Sequence, residues 1–212
     1  TLHAFGNRLI VMAGRLERRE ICGLQASDRR PIPKVVSYAE RAALIADCMR
    51  EVGLKVPDKE TPTGKADFKR VMLSYTRKLQ NYKVFCCDMA IMDNMAAGGR
   101  PFQELDSMRL FGQELELYHL YCEKLCDRNQ IEFCDMLSMG LAILKQSSRV
   151  AKNVSEQFAA VLVDEFQDLS PSELALVHRL SSNISLVGDD DQNIYSFKNT
   201  VIDWPCLKQA AS

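Results

Sequence analysis

The segment AAVLVDEFQDLSPSE, residues 159–173, limits the folds open to this chain more than any other stretch. Ala159, Ala160, Val161, Leu162 and Val163 make an apolar run too short for a helix, so they read as a strand. Because the run is apolar at every position rather than at alternate ones, it is expected in the middle of a parallel sheet covered by helices on both faces. Sheets of that kind bind ligands beyond the carboxyl ends of their strands. Asp164 and Glu165 emerge at that end, where one carboxylate can hold Mg²⁺, usually through water, and a second can polarise an attacking water. Ser170, Pro171 and Glu173 then predict a capping box that opens a helix with Leu174, Val177 and Leu180 facing inward.

A second short apolar run, ISLV, follows that helix and ends in Asp189, Asp190, Asp191 and Gln192. A right-handed crossover between the two strands would bring both polar clusters to one rim of the sheet. Gln192 is a neutral donor able to reach a phosphate oxygen. Tyr195 and Phe197 offer flat faces on which bases can stack, although either could instead be a core aromatic. A nucleotide on one side and a nucleic-acid strand on the other is the expectation.

The remainder reads as mostly α-helical. Phe5, Leu9, Met12 and Leu16 have near-helical spacing. Ser37 with Glu40 predicts a capping box, followed by Ile45, Cys48, Met49 and Val52 on one face and Gly53 at the stop. A loop over LKVPDKETPTG leads to a helical pattern through ADFKRVMLSYTRKLQ, and AAGGRP reads as a further loop. Leu117, Leu120, Tyr121, Leu125, Phe133, Met136 and Leu137 are spaced for packing faces. The polar stretch QSSRVAKNVSEQ reads as a linker at a domain boundary. Lys65, Lys69, Arg70, Arg77 and Lys78 could line a DNA-facing stripe or simply a solvated helix face. His119, Cys122 and Cys126 share helical spacing but lack an evident fourth metal ligand.

Charge and cysteine usage narrow the classes. With 27 Lys and Arg against 28 Asp and Glu, the net charge of −1 excludes a globally basic nucleic-acid binder, so any polyanion site must be local. The eight cysteines lack the dense, regular spacing of a disulfide scaffold, which fits a reducing compartment. No signal-peptide pattern is present and no apolar run approaches the roughly 20 residues that span a bilayer, so an intracellular location is expected, nuclear in a eukaryote and otherwise cytoplasmic.

VLVDEFQD followed by LVGDDDQNIYSF resembles the second and third motifs of superfamily-one DNA helicases of the UvrD, Rep and PcrA type. TLHAF at the start is similar to that family's T-x-H-x-F motif, and YHLYCEKLCDRNQIEFCDML to its Y-x-x-Y…F-x-D-L stretch. The resemblance implies part of a RecA-like P-loop NTPase sheet, an α/β fold, with a large helical insertion. Residues 1–16 would begin the motor lobe, 17–115 form the insertion and 116–212 complete the lobe. It also implies an ATP- and Mg²⁺-dependent motor moving 3′ to 5′ on single-stranded DNA and separating duplexes in repair or recombination. Asp164 and Glu165 would form the Mg²⁺ site, Asp164 coordinating the ion and Glu165 also orienting and deprotonating the water. Gln167 and Asp168 would couple nucleotide state to motion, and Gln192 would sense the γ-phosphate. Thr1, His3, Phe5, Tyr195, Phe197 and Lys198 would meet DNA.

The chain departs from the family at several points. Lys198, Asn199 and Thr200 stand where Arg-Gly-Ala is usual, and Lys198 lacks arginine's bidentate fork. Leu169 replaces the usual threonine. No G-x-x-x-x-G-K-[ST] loop occurs in the sequence. With Thr1 already inside a motif, the expectation is a piece of a longer protein, inactive alone, whose phosphate loop and second motor lobe lie outside it. A non-catalytic nucleic-acid-binding relative and an RNA-directed superfamily-one helicase are the alternatives.

Overall fold

The computed structural model describes residues 1–16, 32–95 and 109–189. Its helices are α1 (Leu2–Leu16), α2 (Tyr38–Glu51), α3 (Pro62–Met95), α4 (Gln113–Asp127), α5 (Asp135–Gln146), α6 (Ser148–Ser155) and α7 (Pro171–Val177). Its strands form two parallel pairs, β1 (Lys34–Val35) with β2 (Gln130–Ile131) and β3 (Val161–Val163) with β4 (Ile184–Leu186). The described architecture is therefore mixed helix and strand, mostly helical, with small parallel sheets, which agrees with the α/β class at that level. The AAGGRP loop, Gln192, Tyr195, Phe197 and Lys198 lie outside the described residues, as does the side chain of Gln167.

The chain divides into two compact units. One comprises Thr1–Asp28, Cys87–Ala97 and Met136–Ser212; the other Arg29–Cys86 and Gly98–Asp135. Residues 116–135 thus group with the second unit, whereas the sequence reading places them with the strands that follow.

The second unit is built around α2 and α4. Ser37 caps α2 with the expected reciprocal pair: its hydroxyl accepts the Glu40 N–H at 3.3 Å and the Glu40 carboxylate accepts the Ser37 N–H at 2.9 Å. Gly53, at φ +78°, ends the helix in a backbone region that only glycine enters without cost. Leu44, Ile45, Cys48 and Met49 of α2 face Leu117, Tyr121 and Leu125 of α4 in one buried cluster. Each fully buried side chain of this type contributes about 1.5–3 kcal/mol. Beside that cluster Glu132 is only 1% exposed. Its carboxylate accepts Nε and Nη2 of Arg41 at 2.8 and 2.6 Å, Nε2 of Gln80 at 3.0 Å, and the hydroxyl of Tyr121. A buried carboxylate needs partners of this kind.

The first unit packs α1 against α5 at very close range. A Cβ on Gly6 would stand 2.2 Å from the Met136 carbonyl oxygen, and one on Gly140 would stand 3.0 Å from the Cα of Gly6. Leu9, Ile10 and Ala13 of α1 are buried together with Leu141 and Leu144 of α5 and Val150 and Val154 of α6.

Four sequence expectations need correcting. The polar linker contains helix α6, capped by Ser147, whose hydroxyl accepts the Val150 N–H at 3.0 Å. Its two buried valines, four apart, supply just enough apolar face to dock it. Helix α3 continues well past Gln80, to Met95. Phe133 is exposed rather than buried, and it precedes the first turn of α5. The apolar run at 159–163 is not covered on both faces: Ala159 and Ala160 are exposed, the strand is Val161–Val163, and Leu162 is 80% exposed. With β4 as the one described partner of β3, no described element covers the face that carries Leu162.

Candidate functional site

Strand β3 pairs with β4 in parallel, with Val161 opposite Ile184, Leu162 opposite Ser185 and Val163 opposite Leu186. The ladder opens with the Val161 N–H on the Asn183 carbonyl at 2.9 Å and closes with the Val187 N–H on the Val163 carbonyl at 2.8 Å. Parallel pairing brings both carboxyl ends to one edge, so Asp164 and Glu165 leave β3 where Val187, Gly188 and Asp189 leave β4. The expected shared edge of the two strands is present; of the second polar cluster only Asp189 lies among the described residues.

At this edge the chain turns abruptly. Glu165 has φ 51° and ψ 44°, in the left-handed region, which costs a residue with a Cβ about 1–2 kcal/mol. Such conformations persist only where their surroundings impose them, and they cluster at functional sites. Three features impose this one. Phe166 is only 2% exposed and sinks into the unit's interior. Its N–H meets the Val187 carbonyl at 3.1 Å. A 3₁₀ turn over Phe166–Asp168 is closed by the Asp168 N–H on the Glu165 carbonyl at 2.9 Å. The result is division of labour: the aromatic ring goes inward, and the two preceding carboxylates stay exposed. Asp164 Oδ1 also accepts the Glu165 N–H at 3.0 Å, which ties the two acidic residues together.

Helix α7 starts at Pro171, three residues after the turn ends, with the predicted capping box. The Ser170 N–H donates to Glu173 at 2.9 Å and the Glu173 N–H to the Ser170 hydroxyl at 3.3 Å, with Pro171 at the first helical position. Leu174, Val177 and Leu180 are buried, as the pattern predicts. Between turn and helix, Asp168 keeps one carboxylate oxygen buried without a protein partner.

The exposed, hard oxygen donors of Asp164 and Glu165, with Asp189 leaving the neighbouring strand at the same edge, are the chemistry that Mg²⁺ and its waters accept. The donor type and exposure suit that ion, but among the described residues no three such side chains come close enough together to hold one.

The three expected DNA contacts of the first motif belong to the same unit. Thr1 caps α1, its hydroxyl accepting the Ala4 N–H at 3.3 Å. His3 is half-buried, and the half-buried Phe5 ring meets Phe158 edge-on at 5.9 Å and 69°. On α3 the basic residues Lys65, Lys69, Arg70, Arg77 and Lys78 are all exposed. Arg70 and Lys78 pair there with Asp67 and Glu114.

Sequence reasoning missed Asp88. This acidic residue in α3 is 2% exposed and accepts the backbone N–H of Ser172 at 3.0 Å. The signal was a single carboxylate in the otherwise apolar run VFCCDMA.

Comparison with known proteins places these features in a family. Residues 1–205 match the model of the UvrD/REP helicase N-terminal domain. The ATP-dependent DNA helicase srs2 of Schizosaccharomyces pombe is 37% identical over 93 residues, covering 42% of this chain and 10% of that protein. The ATP-dependent DNA helicase Rep of Buchnera aphidicola is 34% identical over 85 residues, 39% of this chain and 13% of that protein. The ATP-dependent DNA helicase SRS2 of Saccharomyces cerevisiae is 36% identical over 91 residues, 40% of this chain and 7% of that protein. The matched segment is thus about a tenth of the length of these relatives.

Proposed function

Because the chain belongs to the UvrD/REP helicase N-terminal domain family, we propose that it is the part of an ATP-dependent DNA helicase that carries the hydrolytic carboxylates. The observation that carries this reading is the left-handed Glu165, held with Asp164 at the shared carboxyl edge of β3 and β4. In this reading β3 and β4 belong to a RecA-like sheet. The motor lobe then includes 1–16 and 136–212, and the helical insertion most of 29–86 and 98–135.

Asp164 would hold Mg²⁺, which would supply neutralisation of charge on the phosphates of ATP. Glu165 accepts a proton from the attacking water, and its fixed backbone spares the reorientation that a mobile loop would require. Gln192 contacts the γ-phosphate, while Gln167 and Asp168 pass the nucleotide state to the DNA side. Thr1, His3, Phe5, Tyr195, Phe197 and Lys198 lie along the path of single-stranded DNA. Movement is 3′ to 5′, and the protein works inside the cell. Names of the relatives, the motif order and the parallel strand ends support this reading.

The test is ATP turnover by the full-length protein with and without single-stranded DNA, together with displacement of a strand from a duplex bearing a 3′ tail. DNA-stimulated turnover with displacement is expected. DNA binding without stimulated turnover would favour a non-catalytic relative.

A further inference from the structure

The start of α7 is held from outside as well as by its own cap. Ser170 satisfies the third amide of the helix and Glu173 the N–H of the cap residue. The second amide, that of Ser172, is taken by Asp88 Oδ1 from α3, a residue 84 positions away in the chain. The two serine hydroxyls lie 3.2 Å apart between these bonds. Asp88 Oδ2 is buried with no protein partner, and the hydrogen bonds from the Ser172 backbone and side chain, which favour the carboxylate, are opposed by burial and by Glu173. Burial pushes its carboxyl above the ordinary range, toward the neutral acid. The acceptor oxygen is what the site uses.

What Asp88 holds is the far end of the acidic turn. Residues Glu165–Leu169 are anchored on one side by the Phe166–Val187 hydrogen bond and on the other by the first turn of α7. Release of either anchor frees Glu165 to relax from the left-handed region, because that conformation is unfavourable on its own. We infer that Asp88 is a positioning residue for Glu165, acting through the Ser172 amide and the start of α7. The inference rests on the helicase reading for its catalytic consequence, whereas its structural consequence stands apart from that reading.

The experiment compares Asp88→Ala and Asp88→Asn in the full-length protein by DNA-stimulated ATP turnover and by peptide-resolved hydrogen–deuterium exchange. Asp88→Ala should lower kcat about 10-fold or more with KM for ATP within about threefold, because a misplaced base weakens chemistry more than binding. It should also raise exchange in peptides covering residues 164–174 while leaving those of α1 unchanged. Asp88→Asn keeps an acceptor oxygen and should restore both properties. If Asp88→Ala does not fold, Asp88→Glu, which displaces the oxygen by one methylene, is read by the same comparison.

Three results would overturn the inference: unchanged kcat in the Ala variant, exchange rising equally in α1 and in 164–174, or an Asn variant as impaired as Ala. If the parent protein hydrolyses no ATP at all, the helicase reading fails, and the exchange pattern alone decides the role of Asp88.

Discussion

Phe166 donates its backbone N–H to the carbonyl of Val187 at 3.1 Å, so the turn after β3 is fastened to the residue that ends β4. Glu165, one position earlier, is thereby fixed in the left-handed region at φ 51°. Two substitutions separate its backbone from its carboxylate. Glu165→Gln should leave nucleotide binding intact and reduce turnover of the full-length protein by about 10²-fold or more, the typical effect of losing a general base. Glu165→Gly should be equally inactive yet raise stability by about 1 kcal/mol, since glycine enters this region without a Cβ clash. Turnover assays and urea titration check both. A Gly variant less stable than the parent would show that the conformation carries no cost here.

Gly6 sets a second expectation. Alanine is the better helix former by about 1 kcal/mol. A Cβ at this position, however, would lie 2.2 Å from the Met136 carbonyl oxygen, which is backbone and cannot swing away. Gly6→Ala should therefore destabilise the protein by about 1–3 kcal/mol as α1 and α5 are forced apart. A thermal melt showing an unchanged or higher Tm would contradict this packing.

The buried carboxylate of Glu132 gives a third. Glu132→Ala leaves the Arg41 guanidinium without its counter-charge, and loss of one partner of a buried pair costs about 3–5 kcal/mol. Replacing both, as Arg41→Met with Glu132→Leu, should recover part of that loss, because no uncompensated charge remains. Denaturant titration of the two single variants and the double variant measures the difference.

How much of this could be read in advance depended on how local the chemistry is. Both capping boxes, Ser37 with Glu40 and Ser170 with Glu173, need residues only three apart, and each formed as expected. The acidic pair at a strand end was equally legible, because strand, turn and helix follow one another without a break. Helix α6 was not: only Val150 and Val154 mark its buried face, and its neighbours in sequence are polar. Asp88 was invisible for another reason, since its partner amide is 84 residues away and a backbone N–H leaves no trace in sequence. The expected two-sided burial of β3 failed at Leu162 because an apolar residue records the capacity to be covered, not the presence of a cover.

The fourth expectation concerns pH. Hydrogen bonds from the Ser37 hydroxyl and backbone, followed by Lys34, hold the Glu40 carboxyl down to about 2 from its ordinary 4.5. A carboxyl depressed on folding stabilises the native state above its unfolded value and loses that contribution as pH falls through its folded value. The stability difference between the parent and Glu40→Ala should be full above pH 4.5 and shrink steadily as pH approaches 2. Urea titrations at several pH values test the trend; a difference that grows on acidification would reverse the assignment.

Leu162, at 80% exposed in the middle of β3, and Val187, at 59% just past the end of the neighbouring β4, are both open to solvent. Exposed aliphatic groups on one sheet make a protein adhesive, and they govern its colloidal behaviour more than its melting point. Concentrated solutions of this chain should bind the dye ANS and show light scattering that rises with concentration and with added sulfate. Leu162→Lys should suppress the scattering at almost no cost in Tm, because the side chain it replaces makes few contacts to lose.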